Sequence, residues 1–84
     1  MNNFLNLNEA AKRCGVTSEI ILTFIREEWI VPVDQSLDEE DIARIRLIRE
    51  LQEEFGVNDE SIPIILNLLD QLYRMHIEVK KSSA

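Results

Sequence analysis

Eighty-four residues, 45% hydrophobic and 30% charged, make one small globular domain at most and exclude wholesale disorder. A formal net charge of −7 sets the chain against polyanions, and the single cysteine, Cys14, excludes an intrachain disulfide and a cysteine-based zinc site. The chain shows no leader-like segment and no run near the roughly 20 apolar residues of a membrane span, so a cytoplasmic protein is expected.

Asn6 opens the first predicted helix, Leu7 to Cys14, because its side chain can accept from the free amides while Glu9, three residues on, completes a capping box. Gly15 closes that helix at the left-handed position. Thr17 caps a second helix from Ser18 to about Glu28, with Ile21, Phe24 and Ile25 on its buried face. Two short helices joined by a glycine turn form a helix-turn-helix pattern, and Pro32 closes the extended exit that follows. Trp29 is expected to plug the gap between the wing region and the third helix.

Val33 to Leu37 is a short connector in the place of a β-wing. The third helix opens at Asp38: Leu37 and Ile42 can staple its first turn, and Glu39, Glu40 and Asp41 favour the positive end of its dipole. Ile45, Ile48, Leu51 and Phe55 continue its buried stripe until Gly56 stops it. Asn58 or Ser61 caps a last helix reaching to about Val79, in which Pro63 is tolerated because first-turn amides lack intrahelical partners. Residues 81–84 read as a frayed tail beyond a domain of residues 1–80.

The last helix has more apolar surface than one small domain needs. Ile65, Leu69, Leu72, His76 and Val79 fall on a three-four repeat like a coiled-coil seam, and Ile64, Leu68 and Met75 line an adjacent strip. One strip can face inward, and the other predicts a homodimer.

Charge is unevenly distributed. Residues 1–33, 34–56 and 57–84 carry −1, −5 and −1, so the acidity sits in the wing and third helix. For Glu39, Glu40 and Asp41 the helix dipole is explanation enough, at about 0.3–1 kcal/mol each. Glu50, Glu53 and Glu54 can be a solvated face, with Arg46 and Arg49 spaced for weak ion pairs, or part of an interface. No glycine-rich phosphate loop, calcium loop or nucleophile-base spacing is present, and lone His76 has no partner ligand. Neither an enzyme nor a metal or other cofactor is therefore expected.

Val16-Thr17, the exit Ile30-Val31-Pro32 and the long helix after them resemble the MerR-type DNA-binding domain. The resemblance implies an all-α fold with at most a minimal β-wing: a winged helix-turn-helix with a long C-terminal helix. Where such domains carry Arg-Tyr-Tyr on the second helix, this chain has Leu22-Thr23-Phe24. The phosphate-contacting arginine is thus a leucine, the exposed tyrosine a threonine, and the wing, Val33-Asp34-Gln35-Ser36-Leu37, has no arginine.

Over residues 4–76 the chain resembles the CbpM family of chaperone modulators. The carriers are Phe4, Gly15-Val16-Thr17, Trp29-Ile30-Val31-Pro32, the run from Asp41 to Arg46, Leu51-Gln52 with Phe55-Gly56-Val57-Asn58, and the block from Ile62 to Leu72. A glycine common before the exit is replaced in the Glu27-Glu28-Trp29 region, and the wing is shorter than in the family. The resemblance implies binding to the J-domain of a DnaJ-like co-chaperone, CbpA, and inhibition of its stimulation of DnaK. A J-domain presents a basic helix, so acidic groups around apolar anchors suit it. Glu19, Leu22 and Arg26 on the second helix and Glu39, Glu50, Glu53 and Glu54 on the third are the expected partner-binding residues. A DNA-binding MerR-type transcriptional regulator is the alternative, though the missing arginines argue against DNA as a partner.

Overall fold

The computed structural model describes residues 4–82, and the surroundings of side chains through residue 76. Four helices follow one another: α1 (Leu7–Cys14), α2 (Ser18–Arg26), α3 (Glu39–Glu53) and α4 (Ile62–Ser82). The β content among the described residues is two isolated antiparallel bridges, Leu5 with Leu37 and Val33 with Ser36. The fold is all-α with a minimal wing, as the sequence predicts.

Helix starts are local and match expectation. Asn6 Oδ1 accepts the Glu9 amide at 2.9 Å while the Glu9 carboxylate accepts the Asn6 amide at 3.0 Å. Thr17 Oγ1 accepts the Ile20 amide at 3.2 Å. At α3 the staple is joined by a reciprocal box: Asp38 Oδ1 accepts from Asp41 N at 2.9 Å, and Asp41 Oδ2 accepts from Asp38 N at 3.0 Å. A short acidic side chain at the third position thus does the work usually given to glutamate.

Helix ends differ more. Gly15, at φ 67, lets Val16 and its own amide return to the Ala11 and Lys12 carbonyls, closing α1 in a Schellman turn. The same bonds end α2 earlier than expected: Glu28 donates to Ile25 and Trp29 to Phe24, with Glu28 at φ 63. Helix α2 therefore stops at Arg26 rather than Glu28. Phe55 is not part of the buried stripe and is 70% exposed. Helix α3 ends at Glu53, Gly56 (φ 62) turns the chain, and Val57 takes the place against the core, donating to the Leu51 carbonyl.

The core draws on every helix and on the exit: Ala10 and Ala11, Ile21 and Phe24, Trp29 and Ile30, Leu37, then Ile42, Ile45 and Ile48, then Ile62 and Leu66. Trp29 is buried, its ring 5.5 Å from that of Phe24 on α2. Two features tie α1 to α3. Arg13 clamps Glu39 with bonds of 2.6 and 3.0 Å, and Arg46 donates to the Arg13 carbonyl at 2.9 Å, covering a free acceptor near the end of α1. Cys14 is half-buried beside the Ile42 carbonyl.

Helix α4 is seated by the apolar residues of its first turns and by Asp70, which Arg44 holds. Ile62 and Leu66 are buried, Ile65 is half-buried, and residues 67–76 are exposed. The helix continues through Ser82, so it takes in Lys81 and Ser82. Ser83 and Ala84 lie outside the described residues.

Candidate functional site

Helix α2, the reading helix of a helix-turn-helix, turns Ile21 and Phe24 inward and Glu19, Leu22, Thr23 and Arg26 outward. The Thr23 hydroxyl donates to the Glu19 carbonyl at 3.0 Å, one turn back on the same helix. Leu22 is 45% exposed. It forms one wall of a cleft of about 430 Å³ whose other lining residues are Asn6, Leu7, Ile25, Pro32, Gln35 and Leu37. The cleft is apolar where a DNA reader needs hydrogen-bond donors.

The wing builds the opposite wall. Val33 bridges Ser36 across Asp34 and Gln35, whose φ angles of 52 and 60 are those of a two-residue type I′ turn. Leu37 then exchanges both backbone bonds with Leu5, at 2.8 and 2.9 Å, so the wing is fixed to the segment before α1. No feature of the sequence by itself announces that pairing. Leu5 and Leu37 look like ordinary apolar residues until the chain brings them together.

The seven expected partner-binding residues do not form one patch. Glu19, Leu22 and Arg26 share the outward face of α2. Glu50, Glu53 and Glu54 gather at the far end of α3, where with Arg46 and Arg49 they line a second cleft of about 380 Å³ made only of charged side chains. Arg49 pairs with Glu53 there. Glu39 sits at the opposite end of α3, roughly 16–22 Å from that group along the helix axis at about 1.5 Å per residue. It is held by Arg13, whose guanidinium keeps the Glu39 carboxyl below the ordinary carboxylate range and is itself held protonated more firmly by the same bonds. Glu39 therefore has a structural duty that accounts for its charge.

The basic groups of α3 are spent internally. Arg44 donates from Nε to the Trp29 carbonyl at 2.7 Å and from both terminal nitrogens to Asp70, at 3.0 and 3.3 Å. With Arg46 on a backbone carbonyl and Arg49 on Glu53, each arginine of this helix has an internal partner. Asp41, half-buried beneath the exit, has its carboxyl pushed up by that burial, partly countered by the Asp38 amide.

The expected dimerisation seam divides on α4. Ile65 is half-buried and Leu69 is 40% exposed, whereas Leu72 is 61% exposed and His76 is exposed. Val79 lies outside the residues whose side chains are described. The adjacent strip is the more outward one: Ile64, Leu68 and Met75 are 61%, 54% and 60% exposed. Among the described residues no group of His, Cys, Asp and Glu is arranged to hold a metal ion, and no helix is long and apolar enough to cross a membrane.

Comparison with known proteins gives a family but no individual relative. No curated protein matches the chain, and no solved structure does. The model of the MerR HTH family regulatory proteins matches residues 5–82, which takes in the helix-turn-helix, the wing and all of α4. The chain, with its glycine-turned helix pair, reduced wing and long final helix, belongs to that family of MerR-type helix-turn-helix regulatory proteins.

Proposed function

We propose that this protein is a chaperone modulator, a MerR-type scaffold that binds the J-domain of a DnaJ-like co-chaperone of the CbpA type and blocks its stimulation of DnaK. It acts in the cytoplasm by occlusion, as a binding protein rather than an enzyme, and without a cofactor. The observation that carries this reading is Leu22, exposed on the outward face of α2 against an apolar cleft, where a DNA reader presents an arginine. The acidity of the wing and third helix supports it as well, since negative charge steers a basic J-domain surface and opposes DNA phosphates. A homodimer through the outward stripe of α4 completes the picture, with Leu72 shared between the expected seam and that stripe.

The decisive measurement is DnaK ATPase turnover stimulated by the J-domain, with this protein titrated in. The expected result is a return to the unstimulated rate with a saturable dependence. Full stimulation at a large excess of the protein rejects the reading. Family membership itself favours a second reading, DNA binding, and Arg26 is exposed on α2 to serve it. A regulator of that kind shifts duplex DNA in low salt and loses affinity steeply as salt rises.

A further inference from the structure

The structure separates two candidate docking places on this chain: the cleft between α2 and the wing, and the charged end of α3. We propose that the first is the docking seat, and that it takes an apolar side chain carried between lysines or arginines on a protein partner. The proposal rests on the reading of a basic protein partner and narrows it to one place on the surface.

The walls are preformed. Leu37 is 2% exposed and fixed by its paired bonds to Leu5, and the wing tip is closed by the tight Asp34-Gln35 turn. On the other side Ile25 is half-buried against the core while Leu22 stays open to solvent. A seat with walls ordered beforehand binds without having to order them first. Its lining is mainly apolar, Leu7, Leu22, Ile25 and Pro32 beside Asn6 and Gln35, and carries no charge, so an apolar group gains most from entering.

The margin selects what flanks that group. Glu19 lies one turn before Leu22 on the same face, Glu9 closes the cap on Asn6 at the cleft's edge, and Asp34 stands beside Gln35 at the wing tip. Arg26 is the one basic residue of α2. These carboxylates outnumber the one guanidinium of α2 beside an uncharged lining, which favours a cationic flank in this cleft and disfavours DNA there. The cleft at the end of α3 lacks the other half of the requirement: it has no apolar residue, and its glutamates face Arg46 and Arg49.

Methyl NMR on the full chain tests the seat directly. The probes are an alanine-based helical peptide with one leucine flanked by lysines, the same peptide with glutamates for lysines, and a short DNA duplex. The lysine peptide is expected to shift the methyls of Leu22, Ile25 and Leu37 saturably, and the glutamate peptide to leave them unmoved. Leu22→Asp, at an exposed position whose amide spectrum reports an intact fold, is expected to weaken the lysine peptide at least about tenfold, and Leu22→Ala less. Shifts confined to α3 or α4, equal shifts with both peptides, no shifts, or the same methyls answering to the duplex would each overturn the proposal.

A J-domain titration separates this proposal from the functional reading. If Leu22→Asp binds the J-domain as the unaltered protein does, the seat is wrong and the chaperone reading stands. If the unaltered protein ignores the J-domain but takes the lysine peptide in the cleft, the seat stands and the chaperone reading falls.

Discussion

Glu28 closes α2 in the left-handed conformation, where a side chain with a Cβ costs about 1–2 kcal/mol. A glycine would suit this position, because the Schellman turn that ends α2 requires a positive φ there. Replacing Glu28 by glycine relieves the strain at a smaller cost in chain entropy, about 0.5–1 kcal/mol. Glu28→Gly is expected to raise the urea midpoint by a net gain of about 0.5–1 kcal/mol with an unchanged slope. A fall in stability would mean that the Glu28 side chain makes a compensating contact. Glu39 carries a second residue-scale consequence. Its carboxyl is depressed by the Arg13 clamp, so the stabilisation is present above the ordinary carboxylate range and is lost as pH falls through the lowered value. Burial raises Asp41, so its protonation works the other way and partly offsets that loss. Glu39→Gln is therefore expected to flatten the acid side of the stability profile, as measured by the denaturation midpoint across the carboxylate range. An unchanged profile would show that the clamp is screened away in solution, as exposed ion pairs often are.

Helices begin where the sequence says and end less predictably, because caps and stops obey different physics. A cap is a bond between residues three apart, visible in Asn6 and Glu9 or in Thr17 and Ile20. The Asp38 and Asp41 box belongs to the same kind, hidden only by the expectation of a longer side chain at the third position. Asp38→Ala removes its half of that box at the start of α3, which gives the core Ile42, Ile45 and Ile48, and thermal denaturation is expected to show a loss of about 1 kcal/mol. Retention of full stability would transfer the cap to the Leu37 and Ile42 staple. The end of α3 shows the opposite case: Phe55 continues the apolar spacing, but Gly56 has already turned the chain and Val57 supplies the contact. Spacing extrapolates a helix that the chain no longer follows. The site was legible in the same uneven way. Leu22 stood out because a charged residue was expected there, whereas its neighbours across the cleft, Pro32 and Leu37, became part of a site only through the pairing of the wing with Leu5.

The molecule measures 43 × 34 × 20 Å, elongated for its length, and from Asn67 to His76 every residue of α4 is exposed. Its anchorage is Ile62, Leu66 and the bidentate hold of Arg44 on Asp70. Since Arg44 also holds the Trp29 carbonyl, one side chain sets the angle of the last helix against the exit from α2. The stripe Ile64, Leu68, Leu72 and Met75 is what a second subunit would cover, and Leu68→Asp with Leu72→Asp is expected to give a monomer with intact helicity in analytical ultracentrifugation. A dimer that survives both changes would place the contact elsewhere. The sequence by itself determined the number and starts of the helices, the glycine turn, the small wing and the presence of leucine rather than a charged residue at position 22, because each depends on residue identity or on neighbours a few positions apart. The tertiary structure decided which strip of α4 faces outward, that the arginines of α3 are engaged within the fold, and that Leu22 stands over an apolar cleft. Those depend on how elements are rotated against one another and on pairings such as Leu5 with Leu37, which residue spacing along a single helix does not encode.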